Sequence, residues 1–474
     1  MSHMYLSKLF YILSVTSAVY AACIPDTTST DDLQSLFQKG GVNYILSLCP
    51  NQTYNLTQIL NYTAAGQEIS TEGYPTDVSR ATLLVGGFNI STAVQAQNNG
   101  LDGCKLRNVQ VNGNRGDDPI YQGGGGLIEF GGDTNGQLVE YVHSFDPRGW
   151  SCLHIAEGPF TCTNVTIQNN DIGPCGSEFF QMWSDGISLS CQWSLVQNNV
   201  ITDATDGGIV VFGAPFSTIR NNTIRVKTKT LLGGINMVDV LPWRPPGNYS
   251  GVHVTDNSIH GGFATGYGNA TLGTNNASSV IKIGIAVGPR TWFDDQFGNN
   301  VSTGGVIENN VLQGAFSFGI AVSSAKSFTL QNNTFINNIS FVGSYGVNCT
   351  TGASTPHPPT ALLFDPSNTE NITIIPGSST TSGDNLDFVN GKAEGLTCFV
   401  HPPTDEFAWP YGDGGVNAGA TETTGGGSTG STSGKCTGPS STGTQSGSTS
   451  IGPNIVSTCL VVMIGMGMMW FGMI

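Results

Sequence analysis

The sequence predicts an all-β protein of stacked coils, a β-solenoid closed at its N-terminal end by a short helix. Two alternating motifs predict it. The first is Gly-Ile followed by an alternating strand, as GISL at 186, GIVV at 208, GINM at 234, and GIAV at 284 and 319. The second is a pair of polar residues before an apolar strand, as in IQNNDI, VQNNVI, IRNNTI, VTDNSI, IENNVL and LQNNTF. Short β-prone segments that recur in this way are typical of a solenoid.

The strands of the first motif should alternate between core and surface. Successive side chains of a strand point to opposite faces, so Ile187 and Leu189 are expected inside and Ser188 outside. The paired amides are expected at bends, because Asn tolerates a left-handed φ and hydrogen-bonds its own backbone. Stacked coils then predict a ladder of amides, each bonding the next. Its members are Asn170, Asn199, Asn222, Asn257, Asn310 and Asn333.

The spacing of the motifs gives the size of one coil. Asn199 and Asn222 are 23 residues apart, and larger gaps elsewhere predict insertions, so we expect about eight coils. Leu33, Leu36 and Phe37 predict a short amphipathic helix that ends at the Gly40-Gly41 pair and covers the open end of the solenoid. A β-sandwich or propeller would explain evenly spaced strands, but it would not explain amides repeated at the bends.

Both ends of the chain carry targeting patterns. Lys8, an apolar stretch and small residues before Cys23 follow the order of a secretory signal. At the other end, an uncharged apolar run follows a polar, small-residue stretch, which is typical of a GPI-anchor signal; a single transmembrane helix is the alternative. A stretch of nearly all Gly, Ser and Thr precedes it and predicts a flexible stalk. The predicted divisions are a signal peptide (1–22), an N-terminal cap with the first coils (23–100), the β-helix (101–345), a C-terminal cap with loops (346–418), the stalk (419–450) and the anchor signal (451–474).

Cysteines, sequons and charge indicate an extracellular protein. Removal of both signals leaves ten of the 11 cysteines, and an even count without Cys-x-x-Cys spacing favours disulfides over metal binding. Four of them are close enough in sequence to join neighbouring loops: Cys152, Cys162, Cys175 and Cys191. Fourteen Asn-x-Ser/Thr sequons fit passage through the secretory pathway. A formal net charge of -16 argues against nucleic acid and against generally polyanionic partners.

From about Leu33 to Asn333 the chain resembles a family of secreted fungal proteins in the pectin-lyase-like superfamily, which are often GPI-anchored. The resemblance is carried by YVHSFDPRGWSCLHIAEGPF, QNNDIGPCGS, SDGISLSC, TDATDGGIVVFG, LLGGINMVDV and IKIGIAVGPR. It implies a right-handed parallel β-helix. The superfamily implies polysaccharide lyases, hydrolases and epimerases that act in a cleft along one outer sheet. Fold analogy alone does not choose among these activities.

Alignment of the first motif predicts a row of outward side chains, polar at its beginning and apolar or small toward its end. The row contains Glu129, His154, Ser188, Val210, Asn236, Ala286 and Ala321. Asp185 and Asp206, near the edge of this row, are the predicted catalytic pair. They lie on adjacent coils with Cα atoms roughly 6 Å apart, which suits a retaining glycosidase; a wider separation of the carboxyls would suit an inverting one. The alternative for each is an Asp that caps a turn before Gly.

Several further residues are candidates for the site. Glu129 and His154 are predicted to assist catalysis, since imidazole titrates near neutrality. The predicted substrate-binding residues are Asn236, Asp239, Lys282, Arg148 and Trp183; the alternatives are a turn salt bridge for Arg148 and packing over the core for Trp183, as for Trp150, Trp243 and Trp292. Asp203 is a third candidate carboxylate. FDPRGW begins like the Asp-Pro-His-Asp motif of alginate C5-epimerases but lacks its His and second Asp, so that activity is not carried over.

The predicted function is hydrolysis or remodelling of a cell-wall polysaccharide by a monomeric, cell-surface protein that needs no cofactor. Its membrane contact would be through the GPI lipid alone. The first alternative is a wall or adhesion protein that binds glycan without catalysis. The second is a polysaccharide lyase or epimerase, for which Lys282 would be the important cation, although no clustered Asp set for Ca²⁺ is evident.

Overall fold

The structure is a computed structural model, and it describes ten stretches of the chain. These are 23–87, 89–116, 124–178, 182–239, 247–262, 279–293, 297–336, 339–341, 360–375 and 386–387. The predicted signal peptide, stalk and anchor signal lie outside the described residues, as do Trp243 and most of the predicted C-terminal cap. No helix within the described stretches is both long and apolar enough to span a membrane.

The described chain begins with helix α1, Thr30–Gly40, as predicted. Ser29 caps the helix, because its hydroxyl accepts a hydrogen bond from the Asp32 backbone N–H at 3.1 Å. Leu33 and Phe37 are buried, and Phe37 meets Tyr62 edge-on with ring centroids 5.1 Å apart. The helix contacts all three strands of the first coil and so closes the end of the core.

Three parallel sheets, A, B and C, form the walls of the helix. In the described residues, sheet A has eleven strands: Ile45–Leu48, Glu68–Thr71, Lys105–Arg107, Leu138–Glu140, Thr166–Gln168, Leu195–Gln197, Thr218–Arg220, His253–Thr255, Val306–Glu308, Thr329–Gln331 and Thr373–Ile375. Sheet B has ten: Thr53–Leu56, Ala81–Val85, Val109–Asn112, His143–Phe145, Asp171–Ile172, Val200–Thr202, Thr223–Arg225, Ser258–His260, Val311–Gln313 and Thr334–Phe335.

Sheet C carries the candidate site. Its twelve described strands are Leu60–Asn61, Val94–Gln95, Ile128–Gly131, Ser151–Ala156, Asp185–Leu189, Gly207–Val211, Leu231–Met237, Ile281–Val287, Ala315–Val322, Ser340–Phe341, Thr360–Phe364 and Leu386–Asp387. A short helix, α2 (Arg290–Phe293), follows one of them. A small fourth sheet joins Ser302–Thr303, Ala325–Lys326 and Thr369–Glu370.

Each coil places one strand in sheet A, then one in B, then one in C, and successive coils stack. Ile187 pairs with Ile209, and Ile209 pairs with Ile235, and all three are fully buried in one continuous core. The prediction of stacked coils is confirmed. Ten described coils have a strand in both A and B, rather than about eight, because the two coils over 45–95 lack both sequence motifs.

The predicted amide ladder is also confirmed. Each Nδ2 donates to the Oδ1 of the next member at 2.8 to 3.0 Å, along Asn170, Asn199, Asn222, Asn257, Asn310 and Asn333. The left-handed backbone belongs to the residue before each ladder amide, as at Asn198 (φ 57°) and Asn221 (φ 53°). The first amide of each pair therefore turns the chain, and the second ties neighbouring coils together.

Three disulfides lie within the described residues. Two join neighbouring coils, as expected from the closeness of these cysteines in sequence: Cys162–Cys191 joins two loops, and Cys152–Cys175 joins a strand of sheet C to a loop of the next coil. The third is Cys23–Cys49. Cys104 is buried and unpaired in this part of the chain. Disulfides of this kind are typical of proteins in oxidising compartments.

Candidate active site

The predicted outward row forms on the outer face of sheet C. Strand pairing places His154 beside Glu129 and Ser188, and it continues through Val210 and Asn236 to the two alanines. The predicted alignment therefore holds at all seven positions. We call the part from Glu129 to Asn236 the polar half of the outer face, and the part with Ala286 and Ala321 the apolar half.

Glu129 and His154 form an ion pair at the start of the polar half. His154 Nδ1 lies 2.7 Å from Glu129 Oε2, and the Trp150 ring meets the His154 ring at 4.7 Å between centroids. Glu129 also accepts hydrogen bonds from the Gly126 N–H and the Gln97 amide. Burial lowers the pKa of His154, but the charge and hydrogen bond of Glu129 oppose it, and the net pKa lies above 6.5. The pair therefore favours a protonated imidazole.

Asp185 is held by two hydrogen bonds from neighbouring groups. Its Oδ1 accepts from the Gly207 N–H on the next coil at 2.8 Å, and its Oδ2 accepts from Ser188 Oγ at 2.8 Å. Ser188 also meets the Ser151 hydroxyl at 2.8 Å. Burial, and then the charge of Asp206, raise the pKa of Asp185 well above its usual range. Asp185 thus caps the entry of a strand, although the strand belongs to the following coil rather than to its own.

Asp206 and Asp239 are two carboxyl groups near Asp185 that are bonded differently. Asp206 directly precedes Gly207, and Asp239 follows the strand Leu231–Met237; both are partly exposed. Neither side chain accepts a hydrogen bond from any residue that the structure describes. Burial raises the pKa of Asp206 to about 6; burial and then the charge of Asp206 raise that of Asp239 to about 7. The three carboxyls repel one another, and two of them titrate near neutrality.

The position of Asp239 depends on the path of the chain after Met237. Val238 packs against Leu232 in a small cluster on the outside of the sheet. The Tyr249 hydroxyl donates to the Asp239 carbonyl oxygen at 3.0 Å. The Asp239 carboxyl lies within the electrostatic range of Asp206 and Asp185.

Asn236 occupies a space that two glycines leave open. A Cβ atom on Gly233 would lie 1.9 Å from Asn236 Oδ1, and one on Gly207 would lie 3.1 Å from both Asn236 Nδ2 and Asp185 Oδ1. Asn236 is 3% exposed, and its Oδ1 has no hydrogen-bond partner among the described residues. The first glycine of each pair, in DGGIVV and LGGINM, is thus part of the site. The two motifs do not predict this role of the first glycine. The doubled glycine is the feature of the sequence that indicates it.

The remaining candidates have other surroundings. Lys282 is fully buried and therefore cannot touch a substrate in this conformation. Burial also lowers the pKa of Lys282 to about 7. The Arg148 guanidinium donates to the carbonyl oxygens of Val85, Gly87, Ile90 and Asn114. Trp183 packs against the outer apolar cluster, and Asp203 accepts hydrogen bonds from Lys227 and Thr228. In the described stretches, no three His, Cys, Asp or Glu side chains are arranged to hold a metal ion.

Comparison with known proteins supports the architecture. A family model described as a right handed beta helix region matches residues 160–358. The chain is a right-handed parallel β-helix protein. No curated protein sequence matches it.

Solved structures resemble this β-helix at low identity. The catalytic domain of a GH87 alpha-1,3-glucanase in complex with nigerose has a TM-score of 0.43 and 13% identity, over 79% of this chain and 68% of that chain. The Streptococcus pneumoniae surface protein and adhesin PfbA gives 0.42 and 12%, over 73% and 95%. The A-module of the Azotobacter vinelandii mannuronan C-5 epimerase AlgE6 gives 0.39 and 12%, over 75% and 96%. With TM-scores below 0.5, this likeness carries over neither the fold nor the function of those proteins.

Proposed function

We propose that this protein hydrolyses a polysaccharide on the outer face of sheet C, with the carboxyl groups of Asp206 and Asp239 as the reacting pair. The observation that carries the proposal is the gathering of three carboxyls beside the polar half, two of which accept no hydrogen bond within the described residues. Glycoside hydrolysis needs one carboxyl that donates a proton to the leaving oxygen and a second that is ionised. Since Asp206 and Asp239 have pKa values of about 6 and 7, both forms coexist near neutrality.

Asp185 has a positioning role in this proposal. Both of its oxygens already accept hydrogen bonds, and it is 4% exposed, so it is poorly placed to attack a sugar. It holds the backbone N–H of Gly207, the residue directly after Asp206, and so fixes the chain beside that carboxyl. The sequence predicts Asp185 and Asp206 as the catalytic pair. We propose Asp239 in place of Asp185, because the oxygens of Asp239 accept no hydrogen bond from the described chain.

Of the neighbouring polar residues, His154 would touch the sugar. Asn236 is as buried as Asp185, and its Oδ1 has no hydrogen-bond partner within the described chain, so it lies beneath the site in this conformation. Protonated His154, beside Glu129, would donate a hydrogen bond to a sugar oxygen. The proposal includes an extracellular location on a GPI anchor; the three disulfides are compatible with the location.

A second candidate function is glycan binding without turnover. It is favoured by the burial of the polar half, since Ser188 is 0% exposed and Asn236 is 3% exposed. Polar side chains this well covered also serve to hold coils together. In that case the carboxyls would shape a binding surface rather than react.

The test is product analysis after the full-length secreted protein is incubated with fractionated cell-wall polysaccharides. New reducing ends are expected, and Asp206→Asn and Asp239→Asn should each lower their rate of appearance by about 10²- to 10⁴-fold. Asp256→Gly is the matched control, because it removes a carboxyl and, unlike Asn, creates no sequon with Ser258. Asp256 is exposed with φ 56°, a conformation that Gly readily adopts, so this change should keep full activity.

Three outcomes would overturn the proposal. Unsaturated uronates would show a lyase, and retention of a glycan without any product would show the binding protein. Full turnover in both Asp206→Asn and Asp239→Asn would show that the reacting groups lie elsewhere.

A further inference from the structure

The turn that enters sheet A repeats one backbone conformation in every described coil. Two residues before each strand of sheet A, φ is positive, between 52° and 86°. This left-handed conformation favours Gly and Asn, and it is an outlier for a bulky residue. Eight of the eleven positions follow that preference with Gly or Asn, one is Ser, and the other two are aromatic. In chain order they are Asn43, Gly66, Gly103, Gly136, Asn164, Trp193, Phe216, Gly251, Gly304, Ser327 and Asn371.

Trp193 and Phe216 occupy adjacent positions of this row and are exposed. Trp193 is 54% exposed and Phe216 is 46% exposed. Their rings stack with centroids 4.3 Å apart and planes 14° apart. A Cβ atom on Gly251 would lie 2.5 Å from Phe216 Cδ1, so Phe216 rests on the glycine of the following coil. The second face of Trp193 is therefore on the side of the preceding coil.

The residue at the same position of the preceding coil is Asn164. Its backbone N–H donates to the Gln192 carbonyl at 3.1 Å, directly before Trp193, which confirms the register. Asn164 is exposed and begins the sequon Asn-Val-Thr. Its Nδ2 donates to Asn135 Oδ1 on the coil before, at 2.7 Å. The Asn164 side chain thus leans toward Asn135 and does not cover the indole of Trp193, which is 54% exposed.

We propose that Asn164 carries an N-linked glycan whose first sugar ring stacks on the exposed face of Trp193, with Phe216 behind it. In the secretory pathway the amide nitrogen would bond to the anomeric carbon of a lipid-diphosphate-linked oligosaccharide. The bond from that carbon to the diphosphate oxygen breaks, and the amide loses one proton. The remaining N–H can keep the bond to Asn135. The inference is independent of the proposed hydrolysis, and it requires secretion, with which the disulfides are compatible.

The stacked sugar explains why two aromatic residues occupy an unfavourable backbone position. The apolar C–H face of a sugar ring and an indole face remove each other's surface from water. In the row, side chains project from coils about 4.8 Å apart. A sugar on Asn164 would therefore continue the stack that Phe216 and Trp193 begin. The occupant is part of this protein, so its local concentration is high.

The test begins with secretion of the full chain from a eukaryotic host and mass spectrometry of the Asn164 glycopeptide, which should be occupied. The glycan is then removed by Thr166→Ala and, separately, by Asn164→Gly, which keeps a residue that the row already uses. Each is combined with Trp193→Gly, which also suits the left-handed turn. Loss of the glycan should lower Tm by about 2 °C or more when Trp193 is present, and by much less when it is absent.

The chain offers a matched control in the same row. Asn371 begins the sequon Asn-Ile-Thr, is exposed and has φ 52°, but its neighbour on the adjoining described coil is Ser327. Removal of that sequon by Thr373→Ala should change Tm equally in the original protein and in the Trp193→Gly variant. The inference is overturned if Asn164 of the secreted protein is unoccupied. It is also overturned if loss of its glycan changes Tm equally with and without Trp193, or if Trp193→Gly instead abolishes retention of an added polysaccharide.

Discussion

The two halves of the outer face of sheet C share one strand register, but one half is hydrogen-bonded and the other is packed with apolar side chains. In the polar half, side chains bond to one another across coils, as His154 does with Glu129 and Ser188 does with Ser151. In the apolar half, Ala286 and Ala321 belong to a compact outer cluster. The other buried members of that cluster are Leu232, Val238, Ile283, Trp292, Phe318 and Leu363.

The difference lies in what covers each half. Helix α2 brings Trp292 over the apolar half, so large side chains at Ile283 and Phe318 gain stability by leaving water. On the two coils of the polar half that adjoin it, the equivalent positions are glycines, Gly207 and Gly233, which leave room for a polar side chain. A single repeated strand can thus build a second core or a site, depending on the loop that follows it.

The largest expected effect tests the apolar half as a second core. Phe318 is fully buried on the outer side of the sheet. Phe318→Ala should lower the free energy of unfolding by about 3 to 5 kcal/mol, because it removes a large buried ring and leaves a cavity. Denaturant unfolding measures the change.

The matched change in the polar half is Ser188→Ala, which removes the hydroxyl that bonds Asp185 and Ser151. It should cost about 1 to 2 kcal/mol, the loss of hydrogen bonds in a buried place. A Phe318→Ala protein that is no less stable than Ser188→Ala would mean that the outer cluster is a loose cover and not a core.

Much of the fold could be predicted from the sequence because each coil repeats the same inward residues. Ile187, Ile209 and Ile235 follow a Gly-Ile pattern, and stacking puts them in contact without any further information. The amide ladder follows for the same reason, since an identical side chain recurs at an identical bend. The sequence repeat is enough to predict a contact wherever a residue touches its own counterpart in the next coil.

The site could be predicted only in part because its geometry depends on insertions. Lys282 stands in a strand whose side chains alternate between the two faces of the sheet, yet it is fully buried. The residues that cover a strand are not specified by the sequence of that strand. Asp239 lies just beyond the end of its strand and within the electrostatic range of Asp206, a position that no motif specifies. The two motifs do not indicate a role for Trp193. Most equivalent turn positions hold Gly, Asn or Ser, and these residues indicate only a bend.

An effect of intermediate size comes from the carboxyls beside the polar half. Because the folded pKa values of Asp206 and Asp239 are raised above 3.8, to about 6 and 7, the folded state binds more protons than the unfolded state between about pH 4 and pH 7. Their contribution to stability is therefore fully present below about pH 4 and is lost as the pH rises through 7. Replacement of both by Asn should remove most of this pH dependence.

The measurement is denaturant unfolding at pH 4 and at pH 8. The double variant should gain stability relative to the original protein at pH 8 and not at pH 4. Asp256→Gly, outside the cluster, should leave the pH dependence as it was. An unchanged slope in the double variant would mean that the two carboxyls are as well hydrated as in the unfolded chain, and the polar half would then be an ordinary surface.

The smallest expected effect concerns the titration of His154. Burial lowers its pKa, and the nearby Glu129 carboxylate more than compensates. Glu129→Gln should therefore bring the pKa of His154 from above 6.5 to below it, because burial remains when the charge is gone. Titration of the imidazole resonances by NMR measures the shift. Glu157→Gln is the graded control, since the charge of Glu157 is the weakest of the causes that raise this pKa, and it should lower the pKa by less. Equal shifts in the two variants would mean that His154 responds to the general negative charge of the protein rather than to the 2.7 Å contact with Glu129, and the polar half would then lose the ion pair at its start.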